Sequence, residues 1–482
     1  MADKYAYPLQ IANIALTTIE AINIPVNIFQ MDVFNQEVGK KIVIKNPVDG
    51  LNIERVFPEL DAIISNLPFV KYNNIAADET EYIVQYTANI FENTGVTFKS
   101  GKTDLYMFLP FKLHELLKQN GKLGIILSNS WLGTDIGKDF FKALTYYYSI
   151  ESVILSNCGK WFENADVVST LLILQKKDIS EPNIEESIDF CLIQKEIKSL
   201  DNKQYESLIS SIILHEELDS SIIHIKSYNL KDITKIQSKG ISLNALFHNI
   251  EWVNKMENVL VPITDYFCVK RGERRGWNRL FYPCNNHGIE EEYIKPVLKN
   301  AANLKGYIAK TDIVAFCCHK SKEELKRLGH TGAINWIEKF EHINNNTGVP
   351  LPISLRNSGR YWYEMDDSSK ADLLTILNPN KRLFVAKFDE RTFVDQRFTR
   401  LLIKDSSISV ELLFALLNSL YGMFAIESLG FGRGLGVLDA SSSNFKNIYM
   451  INPESISSID AEEIVRLFKT IKNRDVMDTE DE

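Results

Sequence analysis

One short stretch places a polar amide, a rigid turn and an aromatic ring directly after an apolar run. It is LDAIISNLPFV, residues 60–70, in which Asn66, Leu67, Pro68 and Phe69 follow the apolar residues. The run predicts a strand, and in open α/β sheets ligands bind at the carboxyl ends of strands. The simpler interpretation is an ordinary strand-ending turn, because Asn-x-Pro-Phe arises by chance in roughly one chain in twenty of this length.

These residue types suit transfer of a methyl group to an exocyclic amino group. The amine lone pair of adenine is delocalised into the ring, so the nitrogen is a poor nucleophile. The side-chain oxygen of Asn66 and the main-chain carbonyl of Leu67 could accept both amino hydrogens and turn the lone pair toward an incoming methyl group. Pro68 would stiffen the turn, and Phe69 could stack on a base extruded from a duplex.

The motif resembles that of the N6-adenine DNA methyltransferases of restriction–modification systems, in the type II branch with a C-terminal target-recognition domain. The family motif is Asn-Pro-Pro-Tyr/Phe, and the departure here is Leu67. Pro68 still favours an extended Leu67, but the fixed φ of a first proline is lost, at a cost of about 1 kcal/mol in pre-organisation. If this departure handicaps real chemistry, Leu67→Pro raises activity. The resemblance implies S-adenosyl-L-methionine as the methyl donor.

Later segments extend the resemblance. Residues 71–75 continue the motif, and residues 103–133 resemble the helix, turn and strand of the family, with Asp104 where members place a residue near the cofactor. Residues 159–177 resemble the motif in which an aromatic residue packs on the flipped adenine. The resemblance assigns that role to Phe162, and a core aromatic is the equally weighted alternative.

Four residues near the start resemble the cofactor-binding residues of the family. Asp32, in QMDVFN, corresponds to the acid that bonds the adenine ring of S-adenosylmethionine, with Val33 and Phe34 packing beside it. Asp3 resembles the acid that takes the ribose hydroxyls of the cofactor. The alternative for Asp3 is a residue of a frayed terminus.

The glycine-rich first motif of the family should precede Asp3 by about twenty residues and is not found there. We therefore expect an incomplete Rossmann-like sheet of an S-adenosylmethionine-dependent methyltransferase. Either a second chain that carries this motif completes the sheet, or the gene is a truncated remnant. The segment LGFGRGLGVLD, residues 429–439, resembles instead a glycine-rich loop of the recognition domain. Its Arg433 could contact the DNA backbone, and a surface turn is the alternative.

A basic stretch, KRGERRGWNR at residues 270–279, interleaves five cations with a tryptophan. Phosphate contacts require cations, and the reading of base edges favours arginine. A similar segment follows a helix-to-strand transition in the family, and a solvated basic surface is the alternative. With Arg433, the predicted DNA-binding residues are Lys270, Arg271, Arg274, Arg275, Trp277, Asn278 and Arg279.

Composition restricts the class of protein. The 482 residues carry a net charge of −9, which argues against a nucleic-acid coat protein but not against a DNA enzyme. No apolar run approaches the ~18 residues of a membrane span, no signal peptide is visible, and six cysteines suit a reducing compartment. We therefore expect a cytoplasmic protein.

Metal and nuclease signals are weak. The cysteine and histidine spacing at residues 284–287 and 317–319 is poor for zinc, so no metal is expected. No nuclease cluster is recognised, so any restriction endonuclease is expected to be a separate partner.

Helix-like and strand-like segments alternate over the first 180 residues, which predicts parallel pairing in an α/β sheet. Helices are predicted at 9–22 and 104–119, and strands at 26–31, 60–65, 123–127 and 168–174. We divide the chain into a partial methyltransferase catalytic domain (1–178), a bridging segment (179–242), a mixed α+β target-recognition domain (243–455) and a C-terminal helix with an acidic tail (456–482).

The sequence therefore predicts a site-specific methyltransferase that acts on adenine N6 in double-stranded DNA. A non-catalytic DNA-recognition subunit or a truncated pseudo-methyltransferase is the alternative from another class. An RNA or protein methyltransferase, which shares the motif type, is a third.

Overall fold

The structure is a computed structural model that describes residues 1–16, 27–45, 51–98, 103–162, 167–274, 276–357, 359–379, 382–405, 407–430, 438 and 440–477. The chain divides into two compact units. The first comprises Met1–Thr234 with Leu246–Asn249, and the second comprises Lys235–Ala245 with Ile250–Glu482.

The strands within the first hundred residues of the first unit are short, with two to seven residues each, and the 18-residue helix α2 follows them. Two of its sheets have two strands each among the described residues: β1 pairs with β2 in parallel, and β3 pairs with β4 in an antiparallel hairpin. The elements are β1 (Ala2–Asp3), α1 (Ala6–Leu16), β2 (Phe29–Gln30), β3 (Lys41–Lys45), β4 (Asn52–Val56), β5 (Leu60–Asn66) and α2 (Ala77–Thr94).

The rest of the first unit forms longer strands and covering helices. The elements are α3 (Leu109–Leu116), β6 (Leu117–Ser128), α4 (Asp135–Tyr147), β7 (Tyr148–Ser156), β8 (Ser169–Lys176), β9 (Ser187–Ile193), α5 (Asn202–Leu214), β10 (Ile223–Asn229) and α6 (Leu230–Ser238).

A six-stranded sheet in the order β10-β9-β7-β8-β6-β5 forms the centre of this unit. Strands β5, β6, β7 and β9 run in one direction, while β8 and β10 run antiparallel to their neighbours. The expectation of parallel pairing therefore fails at β8, which runs antiparallel to both β7 and β6. Apolar residues alternate along β6, whose Leu123, Ile125 and Leu127 are completely buried.

The predicted helix at 104–119 is shorter in the structure. A 3₁₀ turn covers Leu105–Met107, α3 ends at Leu116, and β6 begins at once. The residues KQNG, read as a helix end, lie instead in the first half of β6. Asn120 there has a φ of +64°, and the pairing of β6 with β5 shifts register between Leu60 and Ala62. A local irregularity of this kind has no periodic signal in the sequence.

The segment predicted as a bridge, 179–242, contains regular structure. Strands β9 and β10 extend the central sheet, and α5 begins with a capping box in which Asp201 and Gln204 bond each other's backbone N–H groups. This helix packs on the sheet through Leu208 and neighbouring apolar residues. The first unit consequently extends to residue 234 rather than ending at 178.

The second unit contains another mixed sheet of six strands, in the order β12-β17-β15-β16-β13-β14, and a two-stranded sheet of β11 and β18. Two apolar cores pack around the larger sheet. The elements are α7 (Trp252–Lys255), β11 (Leu260–Pro262), α8 (Ile263–Tyr266), β12 (Phe267–Arg271), α9 (Asn278–Phe281), β13 (Ile294–Leu298), β14 (Ile313–Phe316), α10 (Lys322–Leu328), α11 (Thr331–Glu341), α12 (Leu351–Ser354), β15 (Lys370–Ile376), β16 (Ala386–Val394), β17 (Phe398–Ile403), α13 (Val410–Leu417), α14 (Leu420–Glu427), α15 (Ser442–Phe445), β18 (Tyr449–Ile451) and α16 (Ser458–Ile471).

Within the described ranges, no single helix has both the length and the apolarity needed to cross a membrane. Helices α13 and α14 meet those criteria only when taken together, and they are bent by 59° at the break between them.

Candidate functional site

The Asn-Leu-Pro-Phe motif lies at the carboxyl end of β5, as the apolar run predicted. The Leu67 N–H donates to the carbonyl of Ile126 on β6 at 2.9 Å, and the Leu67 side chain is buried. Asn66 is exposed. Among the described residues, none makes a hydrogen bond to the Asn66 side-chain amide or to the Leu67 carbonyl. Leu67 therefore anchors the turn and leaves two acceptor groups available side by side.

The chain after the motif is fixed by contacts to the segment before α3. The Val70 carbonyl accepts from the Leu105 N–H at 3.1 Å, and Asp104 Oδ1 accepts from the Tyr72 N–H at 3.3 Å. Burial raises the pKa of the Asp104 carboxyl, although the Tyr72 N–H and Lys71 act in the opposite direction. Asp104 thus positions the loop that follows the motif. Within the motif, Pro68 is exposed and Phe69 is half-buried.

The carboxyl ends of β5, β6 and β7 lie at one edge of the sheet because these strands run in the same direction. Phe162, which follows β7, is therefore attached to the same edge as Asn66, and its side chain is half-buried. β7 is the third strand from β5, so their ends are separated by about 14 Å at the usual strand spacing. The strand order leaves both interpretations of Phe162 open.

Asn129, at the end of β6, was not predicted as a site residue. Its side chain is completely buried, and neither its amide nitrogen nor its oxygen has a hydrogen-bond partner among the described residues. The neighbouring Ser130 hydroxyl lies 3.1 Å from the Tyr106 hydroxyl. The sequence signal was the polar Asn-Ser pair that directly follows the strand β6, in which buried residues alternate with more exposed ones near its end.

Asp3 and Asp32 are brought to one place. Asp3 ends β1, and Asp32 lies two residues after the parallel partner strand β2. Asp32 caps the 3₁₀ turn Val33–Asn35 by accepting from the Phe34 N–H at 3.0 Å, and it pairs with Lys4 at 3.1 Å. Lys4 also bonds Glu79 of α2, and the two carboxylates, Glu79 foremost, raise its pKa.

Phe34 packs against helix α2. It is buried, and its ring stacks on Tyr82 of α2 with 4.9 Å between the ring centroids. Val33 is half-buried and is the more accessible of the two predicted packing residues. Phe34 thus holds the segment around Asp32 against α2.

The predicted DNA-binding stretch divides between two cavities of the second unit. Lys270, Arg271 and Arg274 line a cavity of about 590 Å³, to which Arg360 and the buried Arg400 also contribute. Arg360 pairs with Glu273 and Asp366, so part of its charge is neutralised inside the unit. The sequence stretch did not indicate Arg360 and Arg400, because they reach this cavity from remote positions in the chain.

The other half of the stretch lines a second cavity of about 500 Å³. Trp277, Asn278 and Arg279 lie here with residues from two other loops. Trp277 also packs against the larger core, and its indole N–H is buried without a partner among the described residues. The other two predicted residues, Arg275 and Arg433, lie outside the described residues.

One group of potential metal ligands is present in the described part of the second unit. Ligand atoms of His319, Asp366 and Asp367 lie within 4.8 Å of one another. Asp366 already accepts from the N–H and hydroxyl of Ser368 and pairs with Arg360. Its oxygens are therefore engaged in holding a turn.

Comparisons with known proteins give a consistent family assignment. Residues 13–162 match the family described as Eco57I restriction-modification methylase. The chain is 23% identical over 431 residues to the Type II methyltransferase M.AccI of Acinetobacter calcoaceticus, a match that covers 86% of this chain and 73% of that protein.

Two solved structures of longer proteins are also similar. The Type IIL restriction-modification enzyme MmeI, solved in complex with DNA, matches with a TM-score of 0.47, 13% identity and coverage of 86% of this chain and 50% of that one. The type IIG restriction endonuclease BpuSI matches with a TM-score of 0.38, 12% identity and coverage of 94% and 52%. The chain thus spans about half the length of these two structures. The resemblance to restriction–modification methyltransferases that the motifs indicate is confirmed by the match of residues 13–162 to the Eco57I restriction-modification methylase family.

Proposed function

We propose that the protein transfers a methyl group from S-adenosyl-L-methionine to N6 of an adenine in a specific sequence of double-stranded DNA. The observation that carries the proposal is the geometry at the end of β5. The Leu67 N–H donates to the Ile126 carbonyl. The Leu67 carbonyl and the side-chain amide of Asn66 make no hydrogen bond with a described residue. Two fixed acceptors next to each other match the two hydrogens of an amino group.

In this mechanism, the Asn66 oxygen and the Leu67 carbonyl accept hydrogen bonds from the N6 amino group. The lone pair is thereby turned out of conjugation with the ring. The adenine must leave the duplex to reach these groups, and Phe69 supplies a half-buried ring on which it stacks. Bound S-adenosylmethionine supplies the methyl group. The enzyme contribution is thus positioning and electrostatics at N6.

The fit of the cofactor to this chain is supported by Asp3 and Asp32. Two carboxylates at the ends of neighbouring parallel strands suit the vicinal hydroxyls and the adenine amino group of S-adenosylmethionine. Val33 and Phe34 would pack beside the cofactor, and Val33 is the more accessible of the two. These acids would hold the nucleoside end and leave the methionine end to other residues.

We further propose that a second chain, which carries the glycine-rich cofactor motif, pairs with β5. Ile64 in the middle of this strand is 90% exposed, and no described strand pairs with its second edge. Strands that run parallel to their neighbours are normally buried on both faces. An open apolar edge also favours pairing with another strand.

The acceptor of the methyl group is tested with S-adenosylmethionine that carries a labelled methyl group and duplex DNA of mixed sequence. The chain is assayed alone and together with the product of the reading frame immediately upstream of its gene. We expect label in DNA in at least one of these reactions. Label in RNA or in protein but never in DNA would overturn the proposed substrate, and absence of label everywhere would favour a recognition subunit without catalysis.

The partner is tested by hydrogen exchange of the same two samples. Pairing at β5 predicts that amides of residues 60–66 exchange more slowly when the upstream product is present, while those of β10 at the opposite edge do not change. If β5 exchange is the same in both samples, this product does not complete the sheet.

DNA as the substrate is supported by the cavity of about 590 Å³ in the second unit that Lys270, Arg271 and Arg274 line, called the cationic cavity below. Any restriction endonuclease would act as a separate partner. All six cysteines are free thiols, which supports a cytoplasmic location.

A further inference from the structure

The cavity of about 500 Å³ in the second unit is built by three separate parts of the chain. It is lined by Gly276, Trp277, Asn278, Arg279, Asn346 and Gln396. The first four residues surround the start of α9, Asn346 belongs to the loop between α11 and α12, and Gln396 lies in the turn between β16 and β17. Amide and guanidinium side chains thus converge from positions up to about 120 residues apart in the sequence.

The turn that carries Gln396 is held rigidly. Its main-chain carbonyl accepts from Arg271 Nε at 3.0 Å. The preceding Asp395 is completely buried and accepts from the Tyr282 hydroxyl and the Arg397 N–H. Gly272 permits this contact, because a Cβ there would lie 2.1 Å from the Asp395 carbonyl oxygen.

The loop that carries Asn346 is also fixed by its own hydrogen bonds. The side-chain oxygen of Asn345 accepts from the Thr347 N–H, the Thr347 hydroxyl and the Val349 N–H, all at 2.8–2.9 Å. Asn345 and Val349 also bond through their backbones at 2.7 Å. The next residue, Asn346, is exposed on a pre-organised loop.

The polar groups at the mouth of this cavity are not used inside the protein. The side chains of Arg279, Asn346 and Gln396 make no hydrogen bond or ion pair with any described residue, and the Trp277 indole N–H is equally unpartnered. Arg279 and Asn346 are exposed and Gln396 is half-buried, so their donors and acceptors are open to a ligand. Rigid loops lower the entropy that a ligand must offset when it binds them.

The chemistry of these groups distinguishes base edges from phosphates. Phosphate oxygens accept only, so a phosphate site needs donors, and the neighbouring cavity with Lys270, Arg271 and Arg274 supplies them. The 500 Å³ cavity has no lysine in its lining and offers amides that donate and accept at once. Asn and Gln match the N6–H and N7 pair of adenine, and Arg matches O6 and N7 of guanine.

We propose that this cavity reads base edges in the major groove of the target DNA, with Asn346 and Gln396 contacting adenines and Arg279 contacting a guanine. This proposal rests on one part of the proposed function, namely that the protein acts on duplex DNA. The adjacent cationic cavity holds the phosphate backbone and fixes the register. Target specificity is thus determined by three residues that are not contiguous in the sequence.

The test is selection of bound sequences from a pool of random duplexes with the full-length protein, followed by sequencing, without any methyl transfer. We expect the wild-type protein to enrich a motif that contains A·T and G·C positions. Asn346→Ala and Gln396→Ala should each relax preference at an adenine position, and Arg279→Ala at a guanine position, by about 5- to 150-fold. All three side chains lie at the protein surface, and unchanged thermal unfolding midpoints would confirm that the variants fold.

Two controls separate base reading from general binding. Lys270→Ala should weaken binding of all sequences alike and leave the motif unchanged. Asn285→Ala, an exposed amide of the same unit outside this lining, should change neither. A motif that survives all three substitutions, or a wild-type protein that enriches no motif, would overturn the proposal. If the motif shifts as expected but no DNA is methylated, the catalytic proposal fails and this one stands.

Discussion

Within the first unit, residues 1–98, which carry the Asn-Leu-Pro-Phe motif, are packed differently from residues 103–234. The later part contains long buried strands and fully buried aromatic residues such as Trp131 and Phe140. The earlier part contains two-residue strands, a hairpin, and α1, whose Ile11 and Ile14 are exposed. Ile64 on β5 is 90% exposed although it belongs to an apolar strand.

This difference indicates where the candidate chemistry depends on other parts of the protein. The Asn66 turn is held on one side by β6, through Leu67 and Ile126, and by the segment around Asp104. No described strand pairs with the other edge of β5. The well-packed part therefore supplies rigidity to the site, while the sparsely packed part presents surface that suits a further polypeptide.

The largest expected effect is on stability. Trp131 is completely buried, stacks near Phe141 and donates to the Thr170 hydroxyl at 3.0 Å. Trp131→Ala should lower the free energy of unfolding of the first unit by about 3–5 kcal/mol, because a large cavity forms and Thr170 loses its donor. Ile64→Ala should change it by less than about 0.5 kcal/mol. Urea denaturation measures both, and equal losses would contradict the contrast.

The second effect is on local opening. Backbone amides of β6 at Leu123, Ile125 and Leu127 should exchange with solvent more slowly than those of β5, by at least about 10-fold, because β6 has a strand on each side. Hydrogen exchange with mass spectrometry of the isolated chain measures this ratio. Equal protection of β5 and β6 would mean that β5 already has a second neighbour in the isolated chain.

The third effect concerns the departure from the family motif. Leu67→Pro restores the motif but removes the N–H that bonds Ile126 and the buried leucine side chain. We expect a loss of about 0.5–1.5 kcal/mol from the hydrogen bond alone and lower methyl transfer, contrary to the gain expected from the sequence. Comparison with Leu67→Ile, which keeps the N–H, isolates the hydrogen bond. A more active Leu67→Pro enzyme would show that Leu67 is a handicap.

The smallest effect is a dependence of stability on pH in the well-packed part. Burial lowers the pKa of His114 below its ordinary value of 6.5, against the opposing effect of the Lys177 carbonyl at 3.0 Å. Below pH 6.5 the unfolded chain binds a proton that the folded chain resists, so stability falls as the pH falls through this range. Urea midpoints between pH 5 and 8 measure the slope. His114→Gln should flatten it, and an unchanged slope would assign the effect to another group.

Much of the site's framework could be predicted from sequence. Runs such as LDAIIS and LGIIL mark β5 and β6 because apolar residues there form near-continuous stretches. The direction of β8 could not be predicted, because element order alone does not distinguish a return strand from a crossover. Strand β10 was missed because polar residues alternate along it, and β9 was missed because its short apolar run lies in a segment rich in Ser, Glu and Lys.

The candidate site residues also differ in whether the sequence could indicate them. Asn66 and Leu67 could be proposed from the sequence because they are adjacent in the chain. Asn346 and Gln396 were missed because only folding brings them beside Arg279. Phe34 was assigned to the cofactor from its position in a motif, and the stacking on Tyr82 that occupies its ring is a tertiary contact without a local signal.

The most direct test of the central claim measures N6-methyladenine in DNA after reaction with S-adenosylmethionine, with nucleosides separated after digestion. The wild-type chain is compared with Asn66→Ala and with Asn202→Ala, an exposed asparagine on α5, each with the upstream gene product present. We predict N6-methyladenine from the wild type and Asn202→Ala, and a loss of about 100- to 1,000-fold in Asn66→Ala. Equal N6-methyladenine from Asn66→Ala would contradict the account.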